Sequence, residues 1–503
     1  MDRKKALINI SVSVVFRIFI LVVSLFSRRY LINALGNEAN GLYSLYLSIL
    51  GFLAIAELGV GTAISFSMYK PMVEGDNNTV SALYYLYKRI YRIITIVILV
   101  TGLILIPLLP LFAKDATGGF DIYTNYTIVL ISTLITYLYA SETSFINATK
   151  DNYVTNIIRS SFLILEAVFQ VILLLTMPSL EGFLLVIFVS NILQYIITKI
   201  VFFKNYKNRI NGFKEISESL KKDVTKKTKA MFMHKIGGAL VISLSGVIIS
   251  TFVSVILLGK YNNYLLIING MNGLIALVFT SMTSIIGHYY SKGDTEKFYV
   301  LFKKVYFLNY LLAVIFYLGF FSISNNLISL LFGGEQVLSQ TIVFLITISF
   351  FIRFLRQSTM LFKDATGAFY YDRFKPLIEG FVNLLLSIIL VNFFGIIGVL
   401  IANIVTDLVV CHVIEPYVTF KYSLKKRANK FYLFNYTGIV LFVVLLVITK
   451  KFIFSGTSNS LKFLFIDGSL SVLISVVFIG AILIVIKLYN ITINKIKNNR
   501  KPK

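Results

Sequence analysis

Long apolar stretches follow one another along almost the whole chain, separated by short polar or glycine-containing segments. The hydrocarbon core of a bilayer is about 30 Å thick, so a helical crossing needs roughly 20 apolar residues. Because backbone groups find no partners in lipid, each crossing is predicted to be an α-helix. The pattern predicts an all-α, polytopic membrane protein with about 14 transmembrane helices. The fourteen stretches lie near residues 7–34, 41–69, 84–113, 122–147, 153–177, 180–203, 232–258, 261–288, 301–323, 338–363, 374–394, 395–419, 431–452 and 463–489.

The composition agrees with this pattern. Hydrophobic residues make up 57% of the chain, charged residues make up 14%, and the mean hydropathy is +0.82. These values exclude a water-soluble globular protein. A chain that consists almost entirely of membrane spans with short loops is typical of a transporter or a channel.

The net charge of +25 raises the question of nucleic-acid binding, and the positions of the basic residues answer it. Fourteen crossings place both termini on one side, and the segments on that side, together with the adjoining ends of the stretches, hold 36 of the 48 Lys and Arg residues. Basic residues concentrate on the cytoplasmic side of membrane proteins, so both termini are predicted to be cytoplasmic. The basic segment 204–229 is then a topological anchor, or it attracts anionic lipid headgroups. No nucleic-acid partner is expected.

Two halves of the chain match at a nearly constant offset. Leu35-Gly36 and Leu258-Gly259 each begin a turn, and Gly75-Asp76 and Gly293-Asp294 each follow the next helix, at offsets of 223 and 218. Later matches keep an offset of 216 or 217: Ala148-Thr149 with Ala365-Thr366, Gly182 with Gly398, Ser190-Asn191 with Thr406-Asp407 and Tyr206 with Tyr422.

A repeat of six helices keeps its orientation in the membrane. The two copies are therefore predicted to be related by an axis along the membrane normal, as in transporters whose halves move around a central site. The predicted parts are an N-terminal six-helix bundle over 1–210, a basic cytoplasmic linker over 211–229, a C-terminal six-helix bundle over 230–422, and two additional transmembrane helices with a basic tail over 423–503.

Several kinds of chemistry are excluded. The single cysteine, Cys411, rules out a disulfide within the chain and a cysteine-rich metal site. The sequence contains no phosphate-binding loop and no His-Glu-x-x-His metal motif, and its three histidines, His234, His288 and His412, are scattered. No cofactor, metal or catalytic set is predicted, and a proton or sodium gradient is the candidate energy source.

The first two predicted helices carry a family-like pattern. Leu35-Gly36, Gly41-Leu42-Tyr43-Ser44 and the segment from Glu57 to Ala63 (Glu-Leu-Gly-Val-Gly-Thr-Ala) resemble the opening of bacterial polysaccharide-biosynthesis flippases of the O-antigen and capsule type. These flippases belong to the multidrug/oligosaccharidyl-lipid/polysaccharide exporter (MOP) superfamily. The family pattern often has Asp where this chain has Glu57.

The resemblance implies a fold and a function. It implies two six-helix bundles with two extra helices in the bacterial cytoplasmic membrane. It also implies movement of an undecaprenyl-pyrophosphate-linked oligosaccharide from the inner to the outer leaflet for surface polysaccharide assembly. The expected partners are this lipid-linked substrate, membrane lipids and other polysaccharide-assembly proteins, and no enzyme activity is expected.

Basic residues inside the predicted spans are the candidate substrate ligands, because charge within a membrane is costly. Arg17 lies about ten residues, roughly 15 Å, into the first helix. Arg353 and Arg356 share a face of the tenth helix, and Lys235 lies early in the seventh. We expect these four residues to bind pyrophosphate and acidic sugars in a cavity between the bundles, since guanidinium groups pair with phosphate oxygens. The alternative is that the arginines form structural ion pairs.

Five acidic residues inside or near the ends of spans are the candidates for ion coupling. A buried carboxylate can exchange protons or bind sodium as its surroundings change. Charge balance for the arginines is the alternative interpretation, and Glu57 is the leading candidate because it lies at mid-span in the family-like segment. The five are Glu57, Glu142, Glu166, Glu379 and Asp407.

Two other functions compete with the flippase. One is a cation-coupled multidrug exporter of the same superfamily, although several basic groups in the spans favour an anionic cargo. The other is a membrane-embedded polysaccharide polymerase or ligase. Such an enzyme needs a large outer loop with catalytic polar residues, and the outer segments near 322–337 and 452–462 are short and poor in acid–base groups.

Overall fold

The computed structural model describes residues 3–57, 60–117, 119–149, 151–212, 217–452 and 461–499, and all regular secondary structure in these ranges is helical. The α-helices of the described ranges are α1 (Arg3–Leu53), α2 (Val60–Glu74), α3 (Asn77–Leu105), α4 (Leu109–Phe112), α5 (Ile122–Leu138), α6 (Ala140–Ala148), α7 (Asn152–Thr176), α8 (Leu180–Asn205), α9 (Glu218–Phe252), α10 (Val255–Ser291), α11 (Thr295–Phe332), α12 (Gln340–Ala365), α13 (Lys375–Phe394), α14 (Ile396–Thr406), α15 (His412–Val418), α16 (Asn429–Phe452) and α17 (Leu461–Asn499).

Length and hydropathy identify membrane spans among these helices. In the described ranges, nine helical segments are long and apolar enough to cross a membrane, and the bent pair α5 and α6 makes a tenth. These ten coincide with ten of the predicted stretches. The other four predicted stretches fall on α1, α2, α9 and α10. The prediction of an all-α, polytopic membrane protein is confirmed.

Two breaks shape the first hundred residues. Gly36 interrupts α1 with φ 83° and ψ −174°, so the first two predicted spans meet at this glycine. A positive φ is open to glycine at little cost, which explains why glycine stands at this turn. The second predicted span is itself broken, because a 3₁₀ turn over Ala54–Glu57 follows α1 and α2 begins at Val60.

Contacts divide the chain into two compact units. The first comprises Met1–Ile285 and Gly367–Ile414, and the second comprises Ile286–Thr366 and Glu415–Lys503. Within the first unit, α1 packs against α7 and α9, and α13 packs against α9 and α14. Within the second unit, α11 packs against α12, α16 and α17. The predicted bundles rest on the sequence repeat rather than on contacts, and they stay a prediction.

Matched positions of the repeat adopt matched local structures. Gly75 and Gly293 have φ of 72° and 74°. Asp76 and Asp294 then cap α3 and α11, each accepting a backbone N–H bond of 3.0 Å from the residue three positions later. Capping by an acidic residue satisfies a free N–H group at a helix start, so one turn design starts the third helix of each half.

The same agreement holds where the fourth helix of each half ends. Thr149 and Thr366 cap α6 and α12 at the carboxyl end, and each donates its backbone N–H over 3.2 Å to the carbonyl four residues earlier. The offset read from the sequence therefore coincides with repeated helix ends.

Candidate functional site

A polar cavity of about 920 Å³ lies within the first compact unit. Residues of α2, α3, α5, α6, α7 and α8 line it, together with Glu57 from the 3₁₀ turn. Sixteen of its twenty-three lining residues carry a hydroxyl or amide group. Since membrane proteins place polar groups where they face water or ligand, this lining indicates a hydrated chamber rather than a packed core.

Two broken helices create part of the chamber wall. The 3₁₀ turn before α2 brings Glu57 and Gly61 to the cavity, and the 40° bend between α5 and α6 brings Tyr137 and Tyr139. Non-helical backbone at membrane depth is tolerated where it lines a cavity, because water or ligand can satisfy its free polar groups. The helix breaks therefore position residues on the cavity wall, and the cavity in turn gives the free backbone groups at the breaks access to water or ligand.

Glu57 is held by a chain of hydroxyl groups. The Tyr91 hydroxyl donates to Glu57 Oε1 over 2.6 Å, and the Tyr87 hydroxyl donates to Tyr91 over 3.2 Å. The Tyr87 and Ser144 hydroxyl oxygens are 2.7 Å apart. These bonds connect the 3₁₀ turn to α3 and α6 through neutral donors, and among the described residues no cation forms an ion pair with the carboxylate.

Gly61 makes room for this network. A Cβ atom built on Gly61 would lie 2.7 Å from the Tyr87 hydroxyl oxygen, closer than real side chains approach. The glycine of the family-like segment is therefore explained by the tyrosine that it faces. Residues 58 and 59 of the same segment lie outside the described residues.

Arg159 is the basic residue among the described residues that line the cavity. It is exposed on α7, and Asn152, Thr155 and Asn156 line the cavity from the same helix. This spacing places the four side chains on one face of the helix. In the described part of the chain, Arg159 has no carboxylate within ion-pair distance.

The predicted cationic residues have different surroundings. Arg17 is exposed on α1, and its guanidinium lies against Gly273 of α10, where an added Cβ would come within 2.5 Å of Nε. The described part of the chain offers Arg17 no ion pair. The side chain of Lys235 lies outside the described residues.

The arginine pair of the tenth predicted helix belongs to the second compact unit. Arg356 is buried and makes two bonds to Glu415, Nε to Oε2 over 3.1 Å and Nη2 to Oε1 over 2.8 Å. Arg353 is half-buried, with its guanidinium carbon 6.0 Å from the centre of the Phe350 ring. Arg356 thus has the structural ion pair that the alternative interpretation expected, with a partner that it did not name.

The acidic residues proposed for ion coupling also differ in their surroundings. Glu142 is fully buried, accepts hydroxyl bonds from Tyr84 over 2.7 Å and Ser141 over 2.8 Å, and forms an ion pair with Lys199. Glu166 is half-buried on α7.

Glu379 and Asp407 lie together in a buried cluster. One ligand atom each of Glu379, Asp407 and Cys411 lies within 4.8 Å of the other two. The Lys375 ammonium bonds to Glu379 Oε2 over 2.7 Å. The protein thus supplies a cation for Glu379, and this cation is a lysine rather than one of the arginines that the charge-balance interpretation considers.

Sequence reasoning missed Arg159, the tyrosines that hold Glu57, and Glu415. For Arg159, a polar face on a largely apolar helix was a usable signal in the sequence; it consists of Asn152, Thr155, Asn156 and Arg159. No comparable signal marked Glu415, because its partner is 59 residues away in sequence.

Solved structures share this fold. An inward-facing multidrug resistance MATE family transporter of the MOP superfamily has a TM-score of 0.64 at 14% identity, covering 82% of this chain and 99% of that one. The lipid II flippase MurJ, in an inward closed conformation, has a TM-score of 0.62 at 14% identity, covering 94% and 98%. An outward-facing MATE family transporter of the MOP superfamily has a TM-score of 0.54 at 14% identity, covering 85% and 98%.

No protein-family profile matches the sequence, and no curated protein matches it. At these identities the structural likeness defines the fold alone, and the chain has the fold of MOP-superfamily transporters.

Proposed function

We propose that this protein is a flippase that moves an undecaprenyl-pyrophosphate-linked oligosaccharide from the inner to the outer leaflet of a bacterial cytoplasmic membrane. Both termini are cytoplasmic in this proposal, and the two halves give alternating access to the substrate. The observation that carries the proposal is the hydroxyl- and amide-rich lining of the cavity.

A glycan suits such a lining. Sugar hydroxyls both donate and accept hydrogen bonds, as do the tyrosine, threonine, asparagine and glutamine side chains of the wall. Tyrosine rings also offer flat faces to the C–H surfaces of sugar rings. The volume of about 920 Å³ is at the upper end of the range of ligand pockets, which is enough for several sugar units.

Arg17 is proposed to bind the pyrophosphate. Its charge has no ion pair in the described part of the chain, and its exposed guanidinium lies against Gly273, whose missing side chain makes room for the guanidinium itself. Arg353, Arg356 and Lys235 are proposed as further contacts to the anionic headgroup, although Arg356 would have to exchange its bonds to Glu415. The prenyl chain stays in lipid.

Ion coupling is proposed to depend on Glu57. Its carboxylate faces the cavity and is bonded to Tyr91 rather than to a cation, so protonation or sodium binding can change its charge state. Glu142 and Glu379 are held by lysines, and Glu166 and Asp407 are weaker candidates.

A cation-coupled multidrug exporter is the second candidate, because the same cavity contains a carboxylate that a cationic drug can approach. The likeness to MATE family structures supports this candidate as well. The two functions differ in the charge of the cargo, and one experiment separates them.

Proteoliposomes that contain the purified protein provide the test. The probes are a fluorescent undecaprenyl-pyrophosphate-linked oligosaccharide, followed by its access to an impermeant quencher, and the cationic dye ethidium, followed by uptake. We expect translocation of the lipid-linked probe, and a loss of tenfold or more with Arg17→Ala. Arg29→Ala, at an exposed arginine of the same helix, is the matched control. Ethidium transport that depends on Glu57, without movement of the lipid-linked probe, would establish the exporter instead.

A further inference from the structure

We propose that Arg159 makes the cavity selective for an acidic glycan, by binding a sugar carboxylate at the α7 wall. This inference rests on the proposed function, and it specifies the substrate class at the same site. The geometry that carries it is an exposed guanidinium on the wall of a polar cavity.

Three other cations of the first unit are bonded by groups of the protein. Arg28 is buried and donates to Asn40 and to Ser44 Oγ, the latter over 3.2 Å. Lys199 is paired with Glu142, and Lys375 with Glu379. Each of these charges is satisfied by the protein, whereas the described residues place no carboxylate against Arg159.

The acid that shares the chamber does not neutralise Arg159. Glu57 receives its hydrogen bond from Tyr91, and it enters the cavity from the 3₁₀ turn rather than from α7. A carboxylate on the ligand can therefore approach the guanidinium without displacing an internal partner. Arginine binds a carboxylate through two parallel bonds, which adds direction to charge.

The neighbours of Arg159 suit a sugar acid. Asn152, Thr155 and Asn156 line the cavity on the same helix and offer amide and hydroxyl groups for the ring hydroxyls next to a carboxylate. The turn that precedes α7 lies on the predicted cytoplasmic side, where the substrate is loaded. A uronic acid or another carboxylated sugar is therefore the expected ligand.

A lipid phosphate is the competing ligand for a basic residue near the end of a membrane helix. The cavity lining favours the glycan, because hydroxyl and amide groups line the wall on several helices. The test separates the two by changing the lipid.

The experiment measures binding of digalacturonate and of its neutral counterpart galactobiose to the protein in phosphatidylcholine nanodiscs, by calorimetry. We expect digalacturonate to bind at least about tenfold more tightly than galactobiose. Arg159→Gln should remove the difference, and Arg159→Lys should restore part of it, because lysine keeps the charge and loses the planar fork. Arg92→Gln, at an exposed arginine of α3 that does not line the cavity, should leave the difference unchanged.

Two results would overturn the inference. Equal affinities of the two sugars in the wild type would show that the cavity does not select an acid. Loss of the difference when phosphatidylglycerol replaces part of the phosphatidylcholine would assign Arg159 to lipid headgroups. Both results concern sugar binding and not translocation of the lipid-linked probe. The proposed function is therefore tested separately, by the proteoliposome assay.

Discussion

The two halves of the protein connect corresponding helices by ion pairs of opposite polarity. In the first half, Glu142 of α6 pairs with Lys199 of α8. In the second half, Arg356 of α12 pairs with Glu415 of α15. The repeat offset of 216 carries Lys199 onto Glu415, so the cation and the acid have exchanged helices.

The exchange shows that both halves keep an ion pair between the fourth and sixth helices, whichever of the two helices carries the cation. A buried ion pair needs both partners, since one partner alone leaves an uncompensated charge in a medium that cannot solvate it. The connection between the fourth and sixth helices can therefore survive a change of sign only if both residues change. Within the described ranges neither Glu57 nor Arg159 forms an ion pair, which is why the cavity that they line, rather than the ion pairs, is the candidate ligand site.

One pair of corresponding residues is joined by a hydrogen bond between the two copies of the repeat. Asn40 and Asn263 are 223 residues apart, the same offset as Gly36 and Gly259, and the Asn40 amide donates to Asn263 Oδ1 over 3.3 Å. Gly259 lies beside them, and a Cβ there would come within 2.8 Å of the Gly41 nitrogen. The predicted outer ends of the second and eighth spans are thus in close contact.

The largest effect is expected from fixing this contact. Asn40→Cys with Asn263→Cys, in a Cys411→Ser background that removes the single native thiol, should form a cross-link with a short thiol reagent. Because alternating access requires the outer ends to separate, cross-linking should abolish translocation of the lipid-linked probe, and a reductant should restore it. The single-cysteine variants treated in the same way are the controls. Normal transport by the cross-linked protein would show that the outer ends of the second and eighth spans do not need to separate during transport.

The two ion pairs should differ in their contribution to stability. Arg356→Met removes both bonds that Arg356 makes to the fully buried Glu415, and we expect a loss of about 3–5 kcal/mol. Lys199→Met should cost less, about 1–3 kcal/mol, because Lys199 is partly exposed and Glu142 keeps its bonds from Tyr84 and Ser141.

Unfolding of the purified protein in mixed micelles measures both changes. The double variant Arg356→Glu with Glu415→Arg, which copies the polarity of the first half, should recover part of the loss. Equal effects of the two single variants would mean that burial and hydroxyl bonding do not distinguish the pairs.

Much of the fold was predictable because lipid restricts the choices. Apolar length alone identifies helices when no other structure satisfies the backbone, and ten predicted spans coincide with apolar helical segments in the described ranges. The turn at Gly36 and the caps at Asp76 and Asp294 were readable from residue type. Breaks such as the 3₁₀ turn at Glu57 were not, because the apolar pattern continues through them.

The site was less predictable, because it depends on which helices pack together. The pair of Lys375 and Glu379 is four residues apart and was visible in the sequence. Arg356 and Glu415 required knowledge of the packing of α12 and α15. Arg159 lies near the predicted cytoplasmic end of its span, where basic residues are common, and only the three-dimensional structure places it on a cavity wall.

The smallest expected difference is in the stability that Asp76 and Asp294 contribute as helix caps at matched positions of the repeat. Bonds from the Thr79 side chain and backbone lower the pKa of Asp76, and bonds from the Lys297 backbone and side chain lower the pKa of Asp294. A carboxyl group whose pKa is lower in the folded state stabilises the fold above its ordinary pKa, and this contribution is lost as the pH falls through the folded value. Asp76→Asn and Asp294→Asn should therefore lower the melting temperature slightly at pH 7, and this difference should shrink as the pH falls below the ordinary pKa of aspartate.

The two substitutions separate the contributions to capping. Asparagine retains a capping oxygen and removes the charge, whereas Asp76→Ala and Asp294→Ala remove both, so the alanine variants should remain destabilised at acid pH. Asp294 should show the larger charge effect, because it also forms an ion pair of 2.9 Å with Lys297 and Asp76 bonds to a neutral threonine. Equal pH dependence at the two caps would show that this exposed ion pair contributes nothing, as is common for surface pairs.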